Sequence, residues 1–172
     1  MLRKKHKNKI PNQVRPIPEG YYTVTPFVIT RNSSELLDFL RRAFGARELY
    51  RFCSDDGTIG HAETRIGDSV VMMFDKKDGW PDIPSYLRLY VEDCDALYQQ
   101  ALAAGATSML RPTNMPWGDR GCRVRDPLGN FWAIMTRIED LSAEEERKRW
   151  GQKEYVDAME YVQTAPLFPV NK

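Results

Sequence analysis

Histidine and cysteine are scarce in this chain of 172 residues, which holds two of the first and three of the second. His6 lies in a basic N-terminal stretch and His61 in the body, so no two-histidine metal centre can form within one folded core. Cys53, Cys94 and Cys122 are too few and too scattered for a disulfide framework or a thiolate metal cage, which predicts a reducing, cytoplasmic setting. No apolar run approaches the length of a membrane span. The basic N-terminal stretch is not followed by the apolar run of a secretory signal. There is no glycine-rich phosphate loop, and no serine stands in a G-x-S-x-G nucleophile elbow.

Hydrophobic residues make up 42% of the chain, enough for a packed core, and the length suits one domain or two small fused modules. Charge is unevenly placed. Residues 1–15 hold six of the 25 Lys and Arg and no acid, so the other 19 face 24 acidic residues and the remainder is net −5. Without interleaved aromatics or a basic helix, residues 1–20 read as a disordered arm and linker rather than a nucleic-acid-binding element.

The body is written twice. Thr25-Pro26-Phe27-Val28-Ile29 opens a strand, a helix follows, and it closes on Ala43-Phe44-Gly45-Ala46; sixty residues on, Ser85-Tyr86-Leu87-Arg88-Leu89 leads through a helix to Ala103-Ala104-Gly105-Ala106. Gly67-Asp68-Ser69-Val70-Val71-Met72-Met73 is likewise answered by Gly129-Asn130-Phe131-Trp132-Ala133-Ile134-Met135. In the first unit, strands are expected at 22–30, 47–53, 59–66 and 69–75, with Ser33 or Ser34 capping a helix whose stripe is Leu36, Leu37, Phe39, Leu40 and Phe44. In the second, strands are expected at 85–92, 107–111, 120–126 and 130–138, with a helix from Asp93 that turns Leu97, Leu102 and its alanines inward. Ser142-Ala143-Glu144-Glu145 is a capping box that starts one further helix, running to about residue 163 with Gly151 as its weak point. The apolar tail from Pro166 to Val170 is expected to dock on this protein or on a second copy.

Thr25-Pro26-Phe27, Ala43-Phe44-Gly45-Ala46, Gly60-His61-Ala62-Glu63, Gly67-Asp68-Ser69, Gly118-Asp119-Arg120 and Asp126-Pro127-Leu128-Gly129-Asn130-Phe131-Trp132 occur in order along residues 21–140. This pattern resembles the vicinal oxygen chelate superfamily of glyoxalases, bleomycin-resistance proteins and extradiol dioxygenases, in its PhnB-like branch. The resemblance implies an α+β fold of two tandem βαβββ modules, residues 21–79 and 84–138, forming a curled mixed sheet around a cavity. A C-terminal helix and tail, 141–172, would be added to it. It implies a homodimer and a small-molecule ligand. Enzymes of the superfamily hold a divalent metal with His, Glu or Gln from the first and last strands of each module. Here those places fall near Thr25, Val71 or Met72, Ser85 or Tyr86, and Ala133, none of them a carboxylate or an imidazole. Asn130 stands where the branch often has histidine.

His61 and Glu63, two apart on an expected strand, face the same side about 6.5–7 Å apart at the backbone, and Arg65 continues the row. They either flank one ligand in a cavity, with His61 as base and Glu63 orienting it or holding a cation, or form the exposed polar face of a strand. Asp119 and Arg120 either fix a hairpin through a local ion pair or contribute, with Arg123 and Arg125, to anion recognition. Trp80, Trp117, Trp132, Tyr86, Tyr90, Met72 and Met73 supply either cavity wall or core.

The expectation is therefore a small-molecule-binding protein without metal or other cofactor, of the ligand-sequestering kind. His61 and Glu63 are its candidate catalytic residues, and His61, Glu63, Tyr86, Tyr90, Trp117, Arg120 and Trp132 its candidate ligand contacts. Its rivals are a metal-dependent lyase, isomerase or dioxygenase with a shifted ligand set, and a protein-interaction scaffold working through residues 142–163; whether the chain is an enzyme stays open.

Overall fold

The computed structural model describes residues 14–166. Most of the basic arm and the tail from residue 167 lie outside the described residues, and with them the expectations for both. The first module runs β1 (Phe27–Thr30), α1 (Ser33–Phe44), β2 (Arg47–Cys53), β3 (Ile59–Ile66) and β4 (Ser69–Asp75). The second repeats it as β5 (Tyr86–Tyr90), α2 (Cys94–Ala103), β6 (Thr107–Asn114), β7 (Asp119–Arg125) and β8 (Phe131–Arg137). Each module makes its own four-stranded mixed sheet, β1-β4-β3-β2 and β5-β8-β7-β6, and neither closes into a barrel. β1 pairs with β4, and β5 with β8, in parallel; the other pairings are antiparallel.

Duplication extends to how each helix is started. The Ser33 N–H donates to Asp75 Oδ1 at 2.6 Å, and the Cys94 N–H donates to Thr136 Oγ1 at 2.8 Å. In both modules the final strand thus satisfies a helix N–H that has no partner within the helix. The cap itself is Asn32, whose Oδ1 accepts from the Glu35 N–H at 3.0 Å, and not Ser33 or Ser34. Ser33 is wholly buried under the helix, too far along to cap it. Gly45 ends α1 at φ 63°, a left-handed conformation that a side chain disfavours.

Leu36, Leu37, Phe39, Leu40, Ala43 and Phe44 form the buried face of α1, and Cys94, Tyr98 and Ala101 that of α2, with Leu97 and Leu102 at its margin. Both helices share one core with alternate strand residues, among them Val28, Ala62, Val71 and Met73 from the first module and Cys122, Val124, Trp132 and Ile134 from the second. The helices are hooked together end to flank: Arg42 Nη1 donates to the Ala104 carbonyl at 2.8 Å, and Gln100 Nε2 donates to the carbonyls of Arg42 and Ala43. Because strand side chains alternate, the residues between these core positions point away from the helices. Each sheet therefore has an inner face built into the common core and an outer face turned from it.

β5 is shorter than the expected 85–92 and β6 runs on to Asn114, past the expected 111, while two elements differ more deeply. The first strand starts at Phe27 rather than residue 22, since Pro26 has no N–H for a ladder and enters it only through its carbonyl, bonded by Met72 N–H. The C-terminal helix is two: α3 (Ala143–Arg149) and α4 (Lys153–Thr164), broken at Trp150-Gly151-Gln152, where glycine disfavours helix. Ser142 caps α3 as expected, accepting from the Glu145 N–H. α4 lies along β6, where the Arg111 N–H donates to Tyr161 Oη at 3.1 Å, while Met159, Val162 and Ala165 pack on Leu110, Met115 and Met135. No helix among the described residues is long and apolar enough to cross a membrane.

Candidate functional site

The outer face of the first module is set by register. Phe27 lies beside Met72, and Met72 beside Glu63, in one row across β1, β4 and β3. Tyr50 extends that row on β2, and Phe52 pairs with His61 one row along. None of these positions packs into the core, and Phe27, Tyr50 and Phe52 are each about half exposed, at 47%, 52% and 55%. Large aromatics left in water on one face are unusual unless something covers them.

His61 and Glu63 do touch, although their backbones are two residues apart on one strand. The side chains lean together until His61 Nε2 lies 2.9 Å from Glu63 Oε1. Glu63 Oε2 accepts from the Tyr21 hydroxyl, brought across by the segment that precedes β1. Burial pushes the Glu63 carboxyl up, but the hydrogen bonds from His61 and Tyr21 outweigh it and hold the group below the ordinary carboxylate value. The same contact raises Tyr21, since ionising its hydroxyl would remove the donor and set two anions together. An ionised carboxylate only accepts, so the proton of the shared bond sits on His61 Nε2. A neutral imidazole in that tautomer presents Nδ1 as a base or acceptor. Its ring is flanked by Phe27 and Tyr50, with centroids 5.8 and 6.1 Å away.

Hollows flank this pair. One of about 440 Å³ is bordered by Pro16, Ile17, Tyr21, Glu63 and Met72, and another of about 700 Å³ by Phe27, Gly60, Phe74, Lys76 and Trp80. A larger groove, about 860 Å³, runs between the modules past Thr25, Ser69, Leu87 and Tyr90, and neither His61 nor Glu63 lines it. Its walls are mainly apolar, with Asp68, Arg88, Glu92 and Asp93 among them, so the His61–Glu63 pair and this groove are separate.

The remaining candidates are dispersed. Trp132 is fully buried on the inner face, its ring 5.1 Å from Phe44, and its Nε1 donates to Asp126 Oδ2 at 3.0 Å. That carboxylate also accepts from the N–H groups of Leu128 and Asn130 and from Asn130 Nδ2, so Trp132 braces the turn into β8. Burial raises the Asp126 carboxyl, with these four donors opposing the shift. Asn130, in turn, accepts from the Ser85 N–H and ties the turn to β5. Arg120 borders a separate hollow of about 340 Å³ with Asn114, Glu154 and Tyr155, and its Nε and Nη2 grip Asp95 on α2 at 2.6 and 2.8 Å. No local ion pair joins it to Asp119, because adjacent strand residues point to opposite faces. Asp119 instead accepts from Tyr90 Oη and Trp117 Nε1, and Trp117 stacks near Trp150, 6.0 Å between centroids. Met73 is core, whereas Met72, Tyr86 and Tyr90 are on outer faces.

The places at which the resemblance would put metal donors carry no donor set. Thr25 precedes β1 and donates to the Tyr22 carbonyl, and the outward strand positions at these places are Phe27 and Met72 in the first module and Tyr86 and Ala133 in the second. Among the described residues no three His, Cys, Asp or Glu side chains are grouped as a metal would require. Hydrocarbon, a thioether and two hydroxyls, that of Tyr86 already accepting from Arg123 Nε, do not fit a divalent transition ion.

Comparison with known proteins agrees with this architecture. An uncharacterized protein of Mycobacterium bovis is 32% identical over 133 residues, covering 71% of this chain and 88% of the relative. An uncharacterized protein of Mycobacterium tuberculosis H37Rv matches equally, over 78% of its length. The crystal structure of TioX from Micromonospora sp. ML1 superposes with a TM-score of 0.57 at 26% identity, over 67% of this chain and 99% of that one. A PhnB protein of Bacillus cereus, at 17% identity and a TM-score of 0.52, shares the fold over 67% of this chain and 99% of its own. The sequence profile of the Glyoxalase/Bleomycin resistance protein/Dioxygenase superfamily matches residues 22–134, and the chain belongs to that superfamily.

Proposed function

We propose that this protein binds a small organic molecule on the outer face of its first module, without a metal, and sequesters rather than transforms it. One observation carries the reading: an ionised carboxylate, Glu63, is held by His61 and Tyr21 amid half-exposed aromatic rings. Rings supply stacking area and the carboxylate orients a ligand's donor or cation, the division of labour usual in small-molecule sites. A second copy of the chain would cover the exposed Phe27, Tyr50 and Phe52 and turn an open face into a cavity, which supports a homodimer as the working form. A reducing compartment suits the three free cysteines, two of them buried.

The test screens the purified chain by thermal shift against aromatic antibiotics and small aromatic amines, with metal content measured on the same preparation. The expected outcome is a raised midpoint for aromatic amines that is lost in Glu63→Ala and in Phe27→Ala. Stoichiometric Zn, Ni, Fe or Mn that disappears in His61→Ala would overturn the metal-independent reading. Absence of any shift across the screen would favour a scaffold acting through α3 and α4.

A further inference from the structure

Register places three arginines together on the outer face of the second module. Arg88 on β5 and Arg123 on β7 both lie beside Ala133 of the intervening strand β8, and Arg125 lies beside Phe131 one row along. Their neighbours Leu87, Leu89, Cys122, Val124 and Trp132 pack into the common core, which turns the arginines outward. Two strand spacings separate Arg88 from Arg123, about 10 Å at the backbone, well within the combined reach of two arginine side chains. Ala133, itself only 4% exposed, puts no polar side chain between them.

None of the three forms an ion pair among the described residues, whereas Arg120 and Arg137 at the margins of the same sheet do. The acid nearest on this face of β7 is Asp119, already engaged by Tyr90 and Trp117. The outward residues of β5 and β8 here, Tyr86, Tyr90, Phe131, Ala133 and Met135, carry no acid at all. A bound oxyanion would neutralise the charge that these guanidinium groups bring to one face. Arg123 is also pre-set: its Nε donates to Tyr86 Oη at 3.0 Å and its guanidinium lies 5.7 Å from the Tyr86 ring centroid. That contact engages Nε and leaves both terminal nitrogens for a ligand. A planar fork held in this way matches the two oxygens of a carboxylate or phosphate. Tyr86, held between Arg123 and Phe131 and still 48% exposed, offers its open ring edge next to it.

We propose that this face is a second binding site, for an aromatic compound carrying a carboxylate or phosphate group. The oxyanion lies over Ala133 between Arg88 and Arg123, Arg125 adds its charge from the next row, and the ring rests on Tyr86. The assignment does not depend on the reading of the His61–Glu63 face.

Calorimetric titration of the full chain with benzoate and with phenyl phosphate tests it, with benzyl alcohol and inorganic phosphate as controls. Both aromatic anions bind, benzyl alcohol does not, and inorganic phosphate binds more weakly than phenyl phosphate. Arg88→Gln and Arg123→Gln each weaken binding about tenfold or more, the scale of losing one charge-assisted contact. Arg88→Lys, which keeps the charge and loses the fork, falls between. Arg147→Gln, exposed on α3, changes nothing. Thermal midpoints of the variants near that of the parent separate lost contacts from lost folding, and Arg88, on an exposed edge position, is the substitution least able to unfold the chain. Unchanged affinity in Arg88→Gln and Arg123→Gln, equal binding of benzyl alcohol, or no heat with either anion would overturn the proposal. Equal affinity for inorganic and phenyl phosphate would overturn the place given to the ring.

Discussion

The two modules fold alike and present opposite chemistry on equivalent positions. Across β1, β4 and β3 the outward row reads Phe27, Met72, Glu63; across β5, β8 and β7 it reads Arg88, Ala133, Arg123. A carboxylate in the first module thus stands where the second has an arginine. One row along, His61 and Phe74 of the first module correspond to Gly121 and Met135 of the second. Met135 is buried beneath α4, whereas Phe74 meets the rings of Phe27 and Trp80 at a partly open surface. The inner faces, which share one core, kept their apolar character in both copies. The contrast of a carboxylate with arginines lies on the side that the core does not constrain, and that is where function is to be sought.

The contrast in burial is the easiest to break. Met135→Ala should destabilise the chain by about 2–4 kcal/mol in urea unfolding, the usual cost of emptying a packed position. Phe74→Ala should cost less than half as much, because water already reaches that site. Equal costs would mean that the two outer faces are equally packed.

Next in size is the Asp126 turn, for which the first module has only a short Gly67-Asp68 hairpin. Asn130→Ala removes donors and an acceptor from buried partners and should cost about 1–3 kcal/mol. A change within error would show that water replaces the amide.

The carboxylate of the first module has a pH signature. Glu63 is held below its ordinary value in the folded chain, so its contribution is present above the unfolded value and lost as pH falls through the lower, folded one. Glu63→Leu should therefore cost about 1 kcal/mol at pH 7. The difference from the parent should vanish towards the acid limb of the unfolding curve. A difference independent of pH would deny the His61–Glu63–Tyr21 linkage.

The smallest effect is expected at Arg120. Its side chain is 33% exposed and faces α2, so Arg120→Gln should cost no more than about 0.5–1 kcal/mol and leave ligand affinity unchanged. Weakened binding in that variant would return Arg120 to the ligand contacts.

Much of the architecture was legible because it rests on local rules. Periodicity placed β2, β3 and β4 at their observed bounds, Gly45 marked a helix end, and Ser142 with Glu145 marked a helix start. The helix stripe of α1 was read correctly because each of its residues is apolar at helical spacing. The N-cap was misplaced by one or two residues, since Asn32, Ser33 and Ser34 are all good caps and only contact with β4 decides among them. The break at Gly151 was visible as a weak point, but whether a helix survives a glycine depends on what else it packs against.

The site was less legible. His61 and Glu63 stood out as a spaced pair, yet Tyr21, forty-two residues away, closes on Glu63 only through the course of the segment before β1. Arg123 and Arg125 were visible as a charged stretch, but Arg88 joins them through parallel pairing with β8, which no local pattern encodes. Trp132 and Arg120 looked like contacts because residue type suggests a role without telling which face of the sheet a residue takes.

Repeated spacing and residue identity carry the doubled βαβββ plan and the superfamily, and they put no carboxylate or imidazole at the places matched to the superfamily's metal donors. Tertiary structure alone decided which side of each sheet meets the shared core. That choice rests on long-range packing of α1 against α2, and it separates Trp132 and Arg120 from the outer faces that carry Glu63 on one module and Arg88 and Arg123 on the other.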